Sequence, residues 1–224
     1  MNHYGDGNSI YDAISYCMAH SVFYRRKFAS AGVDPLACVR DDRLGDIPFT
    51  EKRDLIEDQV SSPPYGSNLC VASSDIRRVH RTSGSTGRPL YVAMTQKDVD
   101  STHLAGSRCF SCSGLRPGHT VAHCLNYCMW MGGLSDHMSL EATGATVVPY
   151  GVGNSRGLVD LIRSVGINAI SCTPSYMSRL ETIVRDELGC DPRDLGLKLG
   201  LFGGEPGGKI WRCCCYGCSR AHSF

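Results

Sequence analysis

The sequence predicts an α/β protein in which helices cover a parallel sheet, with a helical N-terminal segment leading into it. Three observations carry that reading. After residue 120, short apolar runs alternate with segments of helical period, the pattern of strands buried on both faces by crossover helices. Before residue 76, apolar and aromatic residues recur at helical spacing between Gly- and Pro-containing breaks. Between the two lie a pair of strand-like runs around a loop rich in glycine and hydroxyls. The chain accordingly divides into a helical and irregular segment (1–75), an α/β core (76–206) and a cysteine-rich tail (207–224).

Residues 9–28 place Ile10, Ile14, Cys17, Met18, Val22 and Phe23 at helical spacing, and Gly32 and Pro35 end that helix. Thr50 reads as the N-cap of a further helix, with Glu51 favourable in its first turn. Residues 61–67, Ser-Ser-Pro-Pro-Tyr-Gly-Ser, form a loop by composition. Residues 76–81 and 90–94 alternate as strands and make a hairpin, and Thr95 starts a helix over 96–112. Strands at 120–125, 145–149, 169–172 and 197–202 then alternate with helices at 133–143, 155–165 and 175–188. Leu158, Leu161 and Ile162 face inward from the second of these helices, and Met177, Leu180, Ile183 and Val184 from the third. Right-handed crossovers follow from parallel strands.

Composition excludes several classes. The 224 residues are 42% hydrophobic and 20% charged, the balance of a globular chain. A net charge of +1 gives no bulk attraction to nucleic acid or an anionic membrane. No apolar run reaches the length of a membrane span, and the first residues lack the basic-then-apolar order of an export signal, so a cytoplasmic location is expected. Of 13 cysteines, nine scatter from Cys17 to Cys190 and read as small buried hydrophobes. Four crowd into the tail at Cys213, Cys214, Cys215 and Cys218 near His222. A zinc site normally pairs two such knuckles, and only one is present, so no metal site is assigned.

The loop Thr82-Ser83-Gly84-Ser85-Thr86-Gly87-Arg88-Pro89 has the chemistry of a phosphate site. Its two glycines permit conformations that aim amide hydrogens inward, its hydroxyls add donors, and Arg88 brings a fixed fork-shaped charge. It lacks the spacing of the strand–loop–helix NTPases. Gly151, Gly153 and Gly157 likewise miss dinucleotide-site spacing, with three residues before the last glycine. His137, near Asp136 and Glu141, reads as a helix-face histidine, and His80 and His123 read as structural. Asp98 and Asp100 read as charge at a helix start.

Ser-Gly-Ser-Thr-Gly-Arg-Pro resembles the signature loop of the AMP-forming adenylate synthetases, the acyl- and aryl-CoA ligase superfamily, and within it the phenylacetate-CoA ligase group. Further segments agree in order: residues 21–28, residues 47–55, Thr173-Pro174-Ser175-Tyr176 and Phe202-Gly203-Gly204-Glu205-Pro206. The resemblance runs from about Ser21 to Pro206. It implies the N-terminal domain of an adenylate-forming enzyme, truncated, and an acid–thiol ligase activity. ATP would adenylate an aryl, phenylacetate-like carboxylic acid, and coenzyme A would capture the acyl group, with Mg2+ as cofactor. Thr82, Ser83, Gly84, Ser85, Thr86, Gly87 and Arg88 would hold the phosphates. The family usually has Lys where Arg88 stands. Gly203, Gly204, Glu205 and Pro206 would border adenine and ribose. Tyr127, Trp130, Gly132, Gly133, Thr173, Pro174, Ser175 and Tyr176 would face the acyl group, although Cys128 and Met131 replace smaller or hydroxyl residues of the family. The family's magnesium-holding Glu and adenylating Lys find no counterpart, so the catalytic residues are unassigned. The expectation is a chain inactive alone, or working as a homodimer or with a separately encoded C-terminal half. The alternatives are another acid or acceptor, as in coenzyme F390 synthetases and capsule-biosynthesis relatives, or a non-catalytic nucleotide- or zinc-binding module.

Overall fold

The structure, a computed structural model, describes residues 8–84, 87–207 and 221–223, with the backbone alone for residues 8, 9 and 221–223. Two compact units meet in sequence between Gln96 and Lys97.

In the first unit, helix α1 (Asn8–His20) and helix α2 (Val22–Ala31) replace the single helix expected over 9–28. Ser21 interrupts it. Its backbone is extended (φ −100°, ψ 121°), and its hydroxyl accepts from the Tyr24 amide at 3.2 Å as the N-cap of α2. Arg25 donates to the Met18 and Ala19 carbonyls at 3.0 and 2.9 Å, satisfying the end of α1. Asp34 caps α3 (Pro35–Arg40) by accepting from the Leu36 and Ala37 amides, with proline at the first turn where no amide is needed. Helix α4 (Lys52–Ser61) is capped at Glu51 rather than Thr50. The reason is Asp54, whose carboxylate accepts from the Glu51 amide at 3.2 Å and is fixed by Lys27 at 2.6 Å. Strands β1 (Ile76–Arg81) and β2 (Tyr91–Thr95) pair antiparallel with Arg81 opposite Tyr91, the expected hairpin around the 82–89 loop.

The second unit is the expected α/β sheet. Its elements are α5 (Gln96–Cys112, beginning at the unit boundary), β3 (Thr120–His123), α6 (Met131–Glu141), β4 (Thr146–Val148), α7 (Ser155–Val165), β5 (Ala169–Cys172), α8 (Pro174–Thr182), β6 (Leu199–Phe202) and β7 (Ala221–Ser223). The strands lie in the order β4-β3-β5-β6-β7, all parallel. Alternate residues feed opposite faces. Ala122, Ile170 and Phe202 pack with Leu158, Ile162 and Leu180 from α7 and α8, while Val121, Ala169 and Leu201 pack with Phe110 and Leu140 from α5 and α6. A helix was expected over 175–188. Instead α8 stops at Thr182 and a π turn (Ile183–Glu187) carries the chain on, keeping both Ile183 and Val184 in the core. The cysteine expectation holds for Cys38, Cys124 and Cys172, which are buried. It fails for Cys109, Cys112 and Cys128, which are exposed. The tail cysteines lie outside the described residues. Among those described, no helix is long and apolar enough to cross a membrane.

The strand order fixes where ligands fit. From β3 the chain passes to β4 on one side and then to β5 on the other, so the order reverses between β3 and β5. In open parallel sheets the crevice at the carboxyl ends of two such strands is left uncovered by the crossovers.

Candidate functional site

The segment leaving β3 enters this crevice. His123, fully buried, ends the strand and holds the turn that enters α6. Its Nε2 lies 3.1 and 3.0 Å from the Gly132 and Gly133 carbonyls, and its Nδ1 lies 3.1 Å from the Ser171 hydroxyl on β5. Two carbonyls require a proton on Nε2, so Nδ1 accepts from Ser171. Burial pushes His123 down to about 4, which keeps the ring neutral in that arrangement. Gly133 is tightly constrained, because a Cβ there would collide with the Asn126 carbonyl. Met129 takes a left-handed backbone (φ 58°), unusual for its type. Tyr127 bonds to His137 Nδ1 at 2.9 Å, and His137 Nε2 meets Glu141 at 3.3 Å. Burial pushes the Tyr127 phenol up to about 12.

The segments leaving β5 and β6 are tied together. Thr173 is the N-cap of α8, accepting from the Tyr176 amide at 3.3 Å, and Pro174 occupies the first turn. Glu205 accepts from the Ser175 amide at 2.6 Å, and its bonding to Ser175 is the main reason its carboxyl sits below its usual range. Gly203 donates to the Cys172 carbonyl at 3.3 Å. Gly204 has φ +84°, and a Cβ on it would lie 3.5 Å from Thr173 and 3.8 Å from the exposed Trp130 ring. Thr173, Gly204 and Trp130 thus meet at one rim. Tyr176 points elsewhere. It packs against the core under α7 and α8, its hydroxyl facing Ser155 without completing a hydrogen bond.

A cavity of about 290 Å³ opens beside this rim. Gly203 and Gly204 border it, with Phe110, Leu125 and Phe202 as apolar wall and Asp136 of α6 as its one carboxylate among the described residues. Burial raises Asp136 to about 6. Neither Tyr127 nor Trp130 belongs to the wall, and Gly132 touches the region through its approach to Asp136 and Leu125.

In the first unit, the loop after β1 is closed at its neck. Thr82 donates its amide to the Leu90 carbonyl at 2.9 Å, and its hydroxyl accepts from the Leu90 amide at 2.9 Å. The Gly87 amide donates to the Gly84 carbonyl at 2.9 Å, with φ of +118° at Gly87 and +71° at Gly84. Ser83, Gly87 and Arg88 are exposed, and Ser85 and Thr86 lie outside the described residues. Gln59 braces the exit. Its side-chain amide donates to the Tyr91 carbonyl at 2.7 Å, accepts from the Tyr91 amide at 3.1 Å, and donates to the Tyr65 carbonyl. That pairing mimics a strand neighbour for β2.

Of the residues expected at the acyl and adenine sites, the structure therefore gathers Trp130, Thr173, Ser175, Gly204 and Glu205 at one rim. Three contributors were not read from sequence as parts of a site. His123 holds the Gly132–Gly133 turn, Gln59 braces the loop, and Asp136 forms the polar wall. Only Asp136 carried a local signal, a lone acid among Gly132, Gly133, Leu134 and Ser135. Among the described residues no three His, Cys, Asp or Glu side chains gather to hold a metal.

The AMP-binding enzyme family matches residues 28–211. The chain is similar to the phenylacetate-coenzyme A ligase of Pseudomonas putida (38% identity over 185 residues, 82% of this chain and 40% of that protein). It is also similar to that of Thermus thermophilus (36%, covering 86% and 42%) and that of Escherichia coli K12 (34%, covering 82% and 41%). It thus spans about two fifths of the length of these relatives. Among solved structures, 2-hydroxyisobutyryl-CoA ligase in an open conformation, in complex with 2-HIB-AMP and CoA, superposes with a TM-score of 0.85 at 30% identity, covering 94% of this chain and 47% of that one. The same enzyme in its thioesterification state gives 0.83 at 33% identity, covering 90% and 43%.

Proposed function

Because the chain belongs to the AMP-binding enzyme family, we propose that it binds ATP and an aryl carboxylic acid for the first step of an acid–CoA ligase reaction. In that step a carboxylate oxygen bonds to the α-phosphorus of ATP, and the bond from that phosphorus to the β-phosphate oxygen breaks, releasing pyrophosphate. In the second step the coenzyme A thiol attacks the acyl carbon and AMP departs. The relatives named phenylacetate-coenzyme A ligase support both the aryl acid and the coenzyme A acceptor.

The observation that carries the reading is the rim at the strand-order reversal, where Gly203 and Gly204 border a cavity large enough for a single ring. Gly203, Gly204, Glu205 and Pro206 serve adenine and ribose. Trp130, Gly132, Gly133 and residues 173–175 serve the junction with the acyl group, Tyr127 supports them through His137, and Tyr176 supports α8 from below. The loop from Thr82 to Arg88 serves the departing phosphates, where donors fixed in advance stabilise developing charge at little reorganisation cost. Magnesium would enter with ATP as its counter-ion.

The test is calorimetric titration with a non-hydrolysable sulfamate analogue of phenylacetyl-AMP. Binding near about 1 μM, displaced by ATP, is expected, since such analogues exceed substrate affinity by orders of magnitude. An absence of heat from the folded protein at about 1 mM analogue contradicts the proposal.

A further inference from the structure

Asp136 is the oddity of the crevice. Along α6 it comes after Gly132, Gly133, Leu134 and Ser135, and its side chain enters a cavity otherwise walled by carbon, sulfur and backbone apart from Ser171. The Ser171 hydroxyl is already committed to His123. Among the described residues Asp136 forms no hydrogen bond or ion pair. A carboxylate half-buried beside apolar walls with no partner loses part of its hydration, and a ligand that brings the missing donor recovers that cost. The same cavity reaches Gly203 and Gly204, beside the proposed acyl-adenylate junction. An acid held there by its carboxyl end would direct its far end toward the remaining polar group of the wall.

We propose that Asp136 selects the acid, and that the preferred substrates are single-ring aryl acids carrying a hydrogen-bond donor, a hydroxyl or an ammonium, on the ring or its short tail. This rests on the adenylation reading and narrows it. A burial-raised carboxyl strengthens the geometric case, because a donor in the cavity would restore the ionised form. A hydrogen bond to a charged group is worth about 10- to 100-fold in affinity.

The test uses the full chain and three sulfamate analogues of acyl-AMP, with phenylacetyl, 4-hydroxyphenylacetyl and 4-(aminomethyl)phenylacetyl groups. The wild type should bind at least one donor-bearing analogue about tenfold or more tighter than the phenylacetyl one. Asp136→Leu should reverse that order. Asp136→Asn should keep a hydroxyl preference, since its amide oxygen still accepts, and lose an ammonium preference. If the phenylacetyl analogue matches both others on the wild type, or if Asp136→Leu leaves the ranking unchanged, the selection by Asp136 is wrong while the adenylation reading stands. Benzylamine, which has neither carboxylate nor nucleotide, separates the two ideas further by ligand-detected NMR. Asp136-dependent benzylamine binding with no analogue binding upholds the donor site and overturns the adenylation reading. No binding by either probe overturns both.

Discussion

The loop after β1 and the crevice beyond β3 are built by opposite means. The loop is local and exposed, with its neck closed by bonds between residues eight apart and its shape set by Gly84 and Gly87. The crevice is assembled from distant parts. His123 reaches Ser171 across 48 positions, and Ser175 reaches Glu205 across 30. The loop should therefore fail in binding when altered, with the fold intact, whereas the crevice should fail in stability first.

The largest expected effect probes the crevice. His123→Ala leaves the buried Ser171 hydroxyl without its partner, releases the Gly132 and Gly133 carbonyls from the ring and opens a void, so urea unfolding should show a loss of about 2–4 kcal/mol. A loss below about 0.5 kcal/mol would erase the contrast between the regions. The same residue predicts a pH signature. His123 falls to about 4 in the fold against about 6.5 unfolded, so the unfolded state binds more protons between those values. Stability should accordingly drop as pH falls through that window, by roughly 2–3 kcal/mol in all. Asp136 has the opposite sign. Its raised folded value favours the folded protein as pH falls from about 6 toward 3.8 and partly masks the loss. Asp136→Asn should remove the mask and steepen the acid fall, which pH-dependent denaturation checks.

Arg88→Ala probes the loop. Calorimetry should show ATP affinity about tenfold weaker or worse, with the melting temperature unmoved, because Arg88 is exposed and its loss should cost binding rather than folding. The smallest effect belongs to Gln59→Ala, which removes the brace on Tyr91 and should cost the first unit about 1–2 kcal/mol by the same unfolding assay.

The same contrast separates the legible features from the hidden ones. The parallel sheet and the hairpin were legible because period and turn residues are local properties, and the turns at Gly84 and Gly87 were legible because glycine is the residue that takes a positive φ without strain. The break at Ser21 was not, since Val22 and Phe23 continue the apolar period while a hydroxyl cap redirects the chain. The cap at Glu51 depended on Lys27 holding Asp54 from 27 residues away. Tyr176 belongs to an intact motif, yet its ring went to the core because α8 turns that face toward α7. The Asp136 wall needed α5, α6 and β6 to be assembled before its isolation could be seen.

Amide hydrogen exchange, measured with the phenylacetyl sulfamate analogue and separately with ATP, tests the central claim most directly. The analogue carries adenine, ribose and acyl group but no β- or γ-phosphate. It should slow exchange at Gly203, Gly204 and the segment from Asn126 to Gly133, and leave Gly84, Gly87 and Arg88 unchanged, while ATP should slow exchange at those three as well. Protection by the analogue confined to other segments, with Gly203 and Gly204 exchanging as in the free protein, would contradict the assignment of the crevice as an acyl-adenylate site.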